Sequence, residues 1–162
     1  MSARDLARFR ARHIEDCLRV LPLVDSLPAG PAIDVGSGVG LPGIPLAICG
    51  RARLWRLLEP RRRRAAFLEE AIRVLELEAE VVALSADEAA SRPGLRGAHV
   101  VATARAVAPP ERAFALLEPL VRPGAPRVVF AGRGAKVPRL AGEWAPGLLT
   151  IPEMTSQPQD LP

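Results

Sequence analysis

A short apolar strand followed at once by alternating glycines limits the folds open to this chain more than any other feature. Residues 32–48 read AIDVGSGVGLPGIPLAI, with glycines at alternate positions after the first apolar run. Glycines after a buried strand allow a tight turn and a close backbone approach to a ligand, because no Cβ intervenes. Pro42 and Pro45 are tolerated in the first turn of the next helix, where amides have no helical partner. The stretch therefore predicts a strand–turn–helix unit with a ligand at the turn.

The rest of the chain alternates short apolar runs with amphipathic segments. Strands are predicted at 32–35, 54–59, 80–84, 98–103 and 127–131, and helices at 6–24, 44–49, 62–77 and 110–120. This alternation indicates crossover units, and therefore an α/β fold with a mostly parallel sheet and helices on both faces. In such sheets a ligand binds outside the carboxyl ends of the strands, where the glycine turn lies.

Length and composition place few further limits on the protein. A chain of 162 residues is one domain by length. No apolar run reaches the ~18 residues of a membrane span, and the N-terminus has no apolar segment of a secretory signal. Cys17 and Cys49 are isolated thiols without metal-site spacing. We expect a cytoplasmic monomer with no membrane association and no metal.

Two cofactors compete for the glycine turn. The register Gly38-x-Gly40-x-x-Gly43 matches the dinucleotide fingerprint, a pattern of low specificity alone. The register DVGSGVG instead matches the acidic-x-Gly-x-Gly-x-Gly loop of S-adenosylmethionine-dependent methyltransferases, and makes Asp34, Gly36, Gly38 and Gly40 cofactor-binding residues. A turn that only packs the helix against the strand is the third possibility.

Several segments, in order along most of the chain, extend the second register. They are RHIEDCLRVLPLV, DVGSGVGLPGIPLAI, LLEPRRRRAAFLEEAIRVLEL, LSADEA and VVATARAVAPPERAF. Together they resemble the RsmG family, also called glucose-inhibited division protein B, the bacterial 16S ribosomal RNA guanine-N7 methyltransferases. The resemblance implies a Rossmann-like class I methyltransferase fold that uses S-adenosyl-L-methionine.

Carried over by position, the resemblance implies cofactor contacts at Gly36, Leu41, Ala86, Asp87 and Arg105. We add one residue on position alone. Glu59 ends the second predicted strand, where a carboxylate can accept hydrogen bonds from ribose hydroxyls.

The residues available for chemistry agree with a reaction that needs no general base. Methylation of an exocyclic base amine usually uses an Asn/Asp-Pro-Pro-aromatic segment, but this chain has Ala108-Pro109-Pro110-Glu111. Guanine N7 carries a lone pair and no proton at neutral pH, so alignment and electrostatics suffice. We therefore predict Arg105, at the exit of the fourth strand, as the catalytic residue, orienting either the cofactor carboxylate or the guanine edge.

Arginines provide the predicted contacts to RNA. A run of four occupies 61–64, and cationic side chains of this kind either neutralise phosphates or form the solvated start of a helix in an arginine-rich chain. The predicted partner is 16S ribosomal RNA or the 30S subunit. The predicted RNA-binding residues are Arg12, Arg61, Arg62, Arg63, Arg64 and Arg133.

The C-terminal part departs from the family pattern, since its last strand has no counterpart and the chain ends QPQDLP. We therefore predict a helical segment over 1–31, a cofactor-binding α/β core over 32–134 and an irregular segment over 135–162, with the C-terminal strands truncated. The departure leaves two alternatives, a non-catalytic paralogue that binds cofactor or RNA and a small-molecule methyltransferase.

Overall fold

The computed structural model describes residues 10–131, 136, 138–139, 141–145 and 147–151. These residues form a seven-stranded sheet with helices packed against it. The strand order is β3-β2-β1-β4-β5-β7-β6. The strands are β1 Ala32–Val35, β2 Trp55–Leu58, β3 Ala79–Val82, β4 Val101–Arg105, β5 Arg127–Phe130, β6 Gly142–Ala145 and β7 Leu148–Ile151. Strands β1 to β5 pair in parallel, and β7 pairs antiparallel with both β5 and β6. The order reverses between β1 and β4, which is where open parallel sheets bind ligands.

Helices cover both faces of this sheet. They are α1 Glu15–Leu18, α2 Leu21–Ser26, α3 Gly43–Cys49, α4 Arg62–Leu75, α5 Ala86–Ala90 and α6 Pro110–Leu117, with a π-turn at Arg10–Ile14 and a 3₁₀ turn at Glu118–Leu120. Side chains of α2, α3 and α4 pack on one face, and those of α5 and α6 pack on the other. Because successive strand residues point to opposite faces, the two cores share the same strands. The mostly parallel, helix-covered sheet predicted from the sequence is confirmed.

The prediction of truncated C-terminal strands and an irregular segment over 135–162 is wrong for its described part. Strands β6 and β7 form an antiparallel pair there, and Leu148 and Leu149 are buried, one in each core. Gly147, with a positive φ of 76°, lies in the turn between the two strands. The edge of β5 is therefore paired with β7, which removes the exposed edge that truncation would leave.

Three smaller differences separate the observed elements from the predicted ones. The predicted helix 6–24 is interrupted at Arg19–Val20, because Pro22 has no N–H to continue the old helix and is tolerated in the first turn of a new one that begins at Leu21. Helix α5 was not predicted, although Ser85 and Glu88 form a capping box at its start. The fourth strand begins at Val101, three residues later than predicted. None of the helices in the described part of the chain has the length and apolarity to cross a membrane.

Candidate functional site

The glycine turn between β1 and α3 is tied to the end of the neighbouring strand. The backbone N–H groups of Gly36 and Ser37 both donate to the carbonyl of Leu58, at 2.9 and 3.1 Å. Gly36 has φ +69°, and a Cβ there would lie 2.3 Å from Cγ1 of Val107. Both the backbone conformation and the close approach therefore require glycine at this position.

Asp34 lies beneath this turn, fully buried. One carboxylate oxygen accepts from Oγ1 of Thr103 at 2.8 Å, and the other accepts from the backbone N–H of Gly43 at 3.2 Å. Thr103 is its register partner on β4, and Gly43 begins α3. Burial raises the pKa of Asp34 to about 6, against the opposing effect of these hydrogen bonds. The carboxylate thus joins β1, β4 and α3, and it does not line the cleft above the turn.

That cleft, of about 380 Å³, opens above the carboxyl ends of β1 and β4. One wall is the turn itself, including Gly36, Gly38, Val39 and Leu41. The other walls are His13 from the N-terminal π-turn, Arg64 from α4, and Arg105 with Ala106 at the end of β4. An ideal Cβ on Gly38 would meet only the Gly36 carbonyl and the Arg64 guanidinium, at 3.7 and 3.9 Å. The peptide at Gly38 is therefore open for a ligand to approach.

Glu59 supports the same turn from the end of β2. Its Oε2 accepts from the N–H of Gly38 at 3.1 Å, and its Oε1 accepts from the N–H of Arg61 at 2.9 Å. The guanidinium of Arg64 lies 3.9 Å from Oε2. Glu59 is buried, but a carboxylate has about four acceptor positions, and the two backbone bonds use two of them.

Arg105 is held by the N-terminal helical segment on the far side of the cleft. Its Nη2 donates to Nδ1 of His13 at 3.0 Å, and its Nη1 donates to Sγ of Cys17 at 3.2 Å and lies 3.4 Å from the carboxylate of Asp16. Its guanidinium carbon also lies 5.9 Å from the ring centre of Phe130. Arg105 keeps 20% of its side chain exposed, at the cleft.

The protonation states in this cluster follow from its geometry. Guanidinium nitrogens only donate, so Nδ1 of His13 accepts and carries no proton. Burial raises the pKa of Cys17 to about 11, and its thiol donates to the His13 carbonyl at 2.9 Å. Cys17 is therefore a neutral thiol that both donates and accepts.

The other predicted cofactor residues do not line this cleft. Gly40 is buried at the start of α3, where a Cβ would meet Ile44 Cδ1, and its N–H donates to the carbonyl of Ser37. Ala86 and Asp87 begin α5, beyond the carboxyl end of the neighbouring strand β3. The cleft thus brings together Gly36, Gly38, Leu41 and Arg105, with Glu59 directly behind the turn.

The predicted RNA-binding residues fall into two positions. Arg12 is exposed in the N-terminal π-turn, and the run 61–64 is exposed at the beginning of α4. Arg133 lies outside the described residues. Both described positions lie on elements that also contribute a residue to the cleft, His13 and Arg64.

Sequence reasoning missed four participants in this site. Arg64 was predicted for RNA alone, yet it lines the cleft. Asp16 and Cys17 were not linked to Arg105, although the sequence places His13 and Cys17 four residues apart, on one side of a helix. Thr103 has no local signal at all, because its partner Asp34 is 69 residues away.

His99 is buried at the other end of the sheet. Its Nδ1 lies 2.6 Å from the carbonyl of Leu120 and therefore donates to it, which leaves Nε2 to accept from Arg56 at 3.3 Å. Burial lowers the pKa of His99. Both ring nitrogens are engaged within the fold, away from the cleft.

Comparison with known proteins gives a family match over most of the chain. The family model described as "GidB: rRNA small subunit methyltransferase G" matches residues 1–138. The "Ribosomal RNA small subunit methyltransferase G" of Frankia alni is 41% identical over 136 residues, covering 83% of this chain and 50% of that protein. The chain spans about half the length of curated relatives that it matches, such as this one and its counterpart in Frankia casuarinae.

Solved structures with low sequence identity share the fold. A geranyl diphosphate methyltransferase in complex with S-adenosylmethionine superimposes with a TM-score of 0.64 at 16% identity, covering 78% of this chain and 52% of that one. A mutant of MtNAS in complex with S-adenosylmethionine gives a TM-score of 0.64 at 18% identity, covering 92% of this chain and 65% of that one. These likenesses support the fold class.

Proposed function

This chain belongs to the rRNA small subunit methyltransferase G family, and on that premise we propose that it methylates guanine N7 in 16S ribosomal RNA with S-adenosyl-L-methionine. The cleft above the glycine turn is the observation that carries this proposal. It lies where the strand order reverses, and its walls include the glycine turn, Arg64 and Arg105.

The residues of the cleft fit the cofactor. A volume of about 380 Å³ is within the usual range for small-molecule sites. The open peptide at Gly38 suits close approach by the methionine and ribose part, and Leu41 offers an apolar surface to the ligand. The turn is not assigned to a pyrophosphate, because Glu59 and buried Asp34 already engage the amides of Gly38 and Gly43.

Each polar residue then has a separate task. We assign Arg105 to the cofactor carboxylate or the guanine edge, with Asp16, His13 and Cys17 fixing its direction. Glu59 accepts from the ribose hydroxyls through the acceptor positions that its two backbone bonds leave.

The remaining predicted cofactor contacts differ in whether their side chains are buried or exposed. Asp34 shapes the turn without touching the cofactor, because it is fully buried. Asp87 is exposed at the start of α5, next to Ala86, and its carboxylate can accept from the exocyclic amine of adenine.

The chemistry asks little of the protein beyond alignment. When bound, the cofactor supplies an electrophilic methyl group on a positively charged sulfur. The guanine N7 lone pair needs no base to remove a proton, so the site contributes position and electrostatic orientation. Arg105 is the residue we assign to that task, and its four protein contacts hold it in a fixed direction before substrate arrives.

Binding to RNA is assigned to the arginines that surround the cleft. Arg12 and the run 61–64 are exposed on the two elements next to it, where they can neutralise phosphates while a guanine enters. Arg133 completes the predicted set. We infer a cytoplasmic monomer that acts on 16S RNA, either free or within the 30S subunit.

Two measurements test the proposal. Isothermal titration calorimetry with S-adenosylmethionine tests the cleft, and no binding at high micromolar concentration would remove every methyltransferase function. Incubation with labelled cofactor and undermethylated 30S subunits or free 16S RNA, followed by mapping of the label, tests the substrate. Cofactor binding without transfer to RNA would favour the two alternatives, a non-catalytic paralogue or a small-molecule methyltransferase.

A further inference from the structure

Phe67 is an aromatic side chain in water on the arginine-rich helix. It is 54% exposed, although α4 buries Ala65 and Leu68 on its inner face. Residues three and four apart are neighbours on a helix surface, so Phe67 lies one turn below Arg63 and Arg64. An exposed phenylalanine one turn from two arginines has no explanation in the packing of α4.

The same turn of α4 reaches the cofactor cleft. Arg64 lines the cleft, and its guanidinium lies 3.9 Å from the carboxylate of Glu59. One helical turn advances about 5.4 Å. Phe67 is therefore about one turn from the cleft wall, within reach of a nucleotide adjacent to one whose base enters the cleft.

We propose that Phe67 stacks on an unpaired base next to the target guanine, while Arg63 and Arg64 hold the flanking phosphates. This proposal rests on the proposed function and specifies which side chains contact the RNA substrate. Sequence-specific recognition of RNA works on unpaired bases, which stack on aromatic side chains, whereas bases inside a helix are not available. Arginine and aromatic side chains side by side are the combination that binds single strands.

Charge favours RNA over a protein partner for this patch. The four consecutive arginines at 61–64 are all exposed, and among them only Arg64 lies within 4.0 Å of an acidic side chain of the described chain. Val74 is as exposed as Phe67, at 60%, and lies on the same side of α4 two turns further from the cleft. It provides a matched control, because a partner covering the apolar face of α4 would contact both residues and an RNA base at the cleft would contact only Phe67.

The experiment compares two probes and four variants. Fluorescence anisotropy measures affinity for an unpaired RNA of mixed sequence, about 12 nucleotides long and so within the usual site size, and for the corresponding duplex. The proteins are wild type, Phe67→Ala, Phe67→Tyr, Val74→Ala and Arg63→Gln. Methylation of 16S RNA by wild type is measured in parallel. Phe67→Tyr keeps the aromatic face, and circular dichroism checks that each variant is folded.

The expected result is selective. Loss of one stacked base weakens binding by about 5- to 150-fold, so Phe67→Ala loses that factor on the single strand and stays within about twofold on the duplex. Phe67→Tyr and Val74→Ala retain wild-type affinity, and Arg63→Gln weakens both probes. Equal effects of Phe67→Ala on both probes, no effect, or an equal effect of Val74→Ala would overturn the inference while wild-type methylation upheld the proposed function. A wild-type protein that neither binds nor methylates RNA would overturn both.

Discussion

Removing the hydroxyl of Thr103 tests whether the buried carboxylate of Asp34 stabilises the glycine turn. Thr103 donates to Asp34 at 2.8 Å, and both residues are fully buried. The change Thr103→Val keeps the shape and β-branching of the side chain and removes only the donor. Asp34 would then keep its contact with Gly43 at the start of α3.

The magnitude depends on the charge of Asp34. A hydrogen bond to a charged group contributes about 1.5–3 kcal/mol, and a neutral one about 0.5–1.5 kcal/mol. The pKa of Asp34 is raised from 3.8 to about 6, so the folded protein holds this proton more tightly than the unfolded chain. Its burial therefore lowers stability progressively as the pH rises from about 4 to 6, and the full effect of about 3 kcal/mol is present above that range. The carboxylate is ionised at pH 7.5 and mostly protonated at pH 5.

The assay is urea unfolding of wild type and Thr103→Val at both pH values. We expect a loss in the free energy of unfolding of about 2 kcal/mol at pH 7.5 and about 1 kcal/mol at pH 5. Thr150→Val is the control, because Thr150 is equally buried on β7 and its hydroxyl has no hydrogen-bond partner in the described chain. Removing that hydroxyl should be neutral or stabilising.

Two results would refute this reasoning. One is a Thr103→Val loss that is the same at both pH values, which would mean that the charge on Asp34 is not what the hydroxyl stabilises. The other is a loss no larger than that of Thr150→Val, which would mean that the bond to Asp34 contributes nothing beyond packing.

Three further predictions concern the turn and the pH dependence of folding. Gly36→Ala would displace Val107 and strain a backbone with positive φ, so calorimetry should show at least about tenfold weaker S-adenosylmethionine binding. Gly94→Ala is the control, because it has the same backbone strain, with φ +85°, but no described atom lies within 4 Å of the added Cβ, and it should bind as wild type. In the wild type, two backbone N–H groups donate to the carboxylate of Glu59, and Glu59→Gln places an amide NH₂ against one of them. The same titration should therefore show about tenfold weaker binding of S-adenosylmethionine, and wild-type affinity would contradict the role given to the carboxylate. Burial lowers the pKa of His99, so the contribution of His99 to stability falls as the pH drops below about 6.5, opposite in sign to that of Asp34; in urea unfolding, His99→Gln should remove the His99 contribution and leave that of Asp34.

The parallel core of the fold could be predicted because its signals are local. The strand at 32–35 and the glycine turn are contiguous in sequence, and the strand predicted at 127–131 matches β5 within one residue. Hydrophobic periodicity and turn residues are enough to predict such elements from sequence. The pair β6–β7 carries weaker signals, because Gly142–Ala145 contains a glycine and a glutamate, and it forms only when the apolar residues of β7 pack into the core.

The candidate site was predictable where it follows the chain and not where it joins distant parts. Gly36, Gly38 and Leu41 lie in one motif, and the structure gathers them around one cleft. The bond from Arg105 to His13 spans 92 residues, and no spacing rule connects the two. Asp34 was assigned to the cofactor because the motif includes an acid, whereas its burial, a tertiary property, gives it the task of holding the turn.

If the cleft holds the methyl donor as proposed, the carboxylate of Glu59 has a thermodynamic consequence, because it accepts both from Gly38 in that cleft and from Arg61 at the beginning of α4. A ligand that shifts this side chain from one neighbour alters the anchoring of the other. Coupling free energy between two sites is reciprocal. Nucleic acid and methyl donor would therefore change each other's dissociation constants by one common factor, transmitted through a single acidic group.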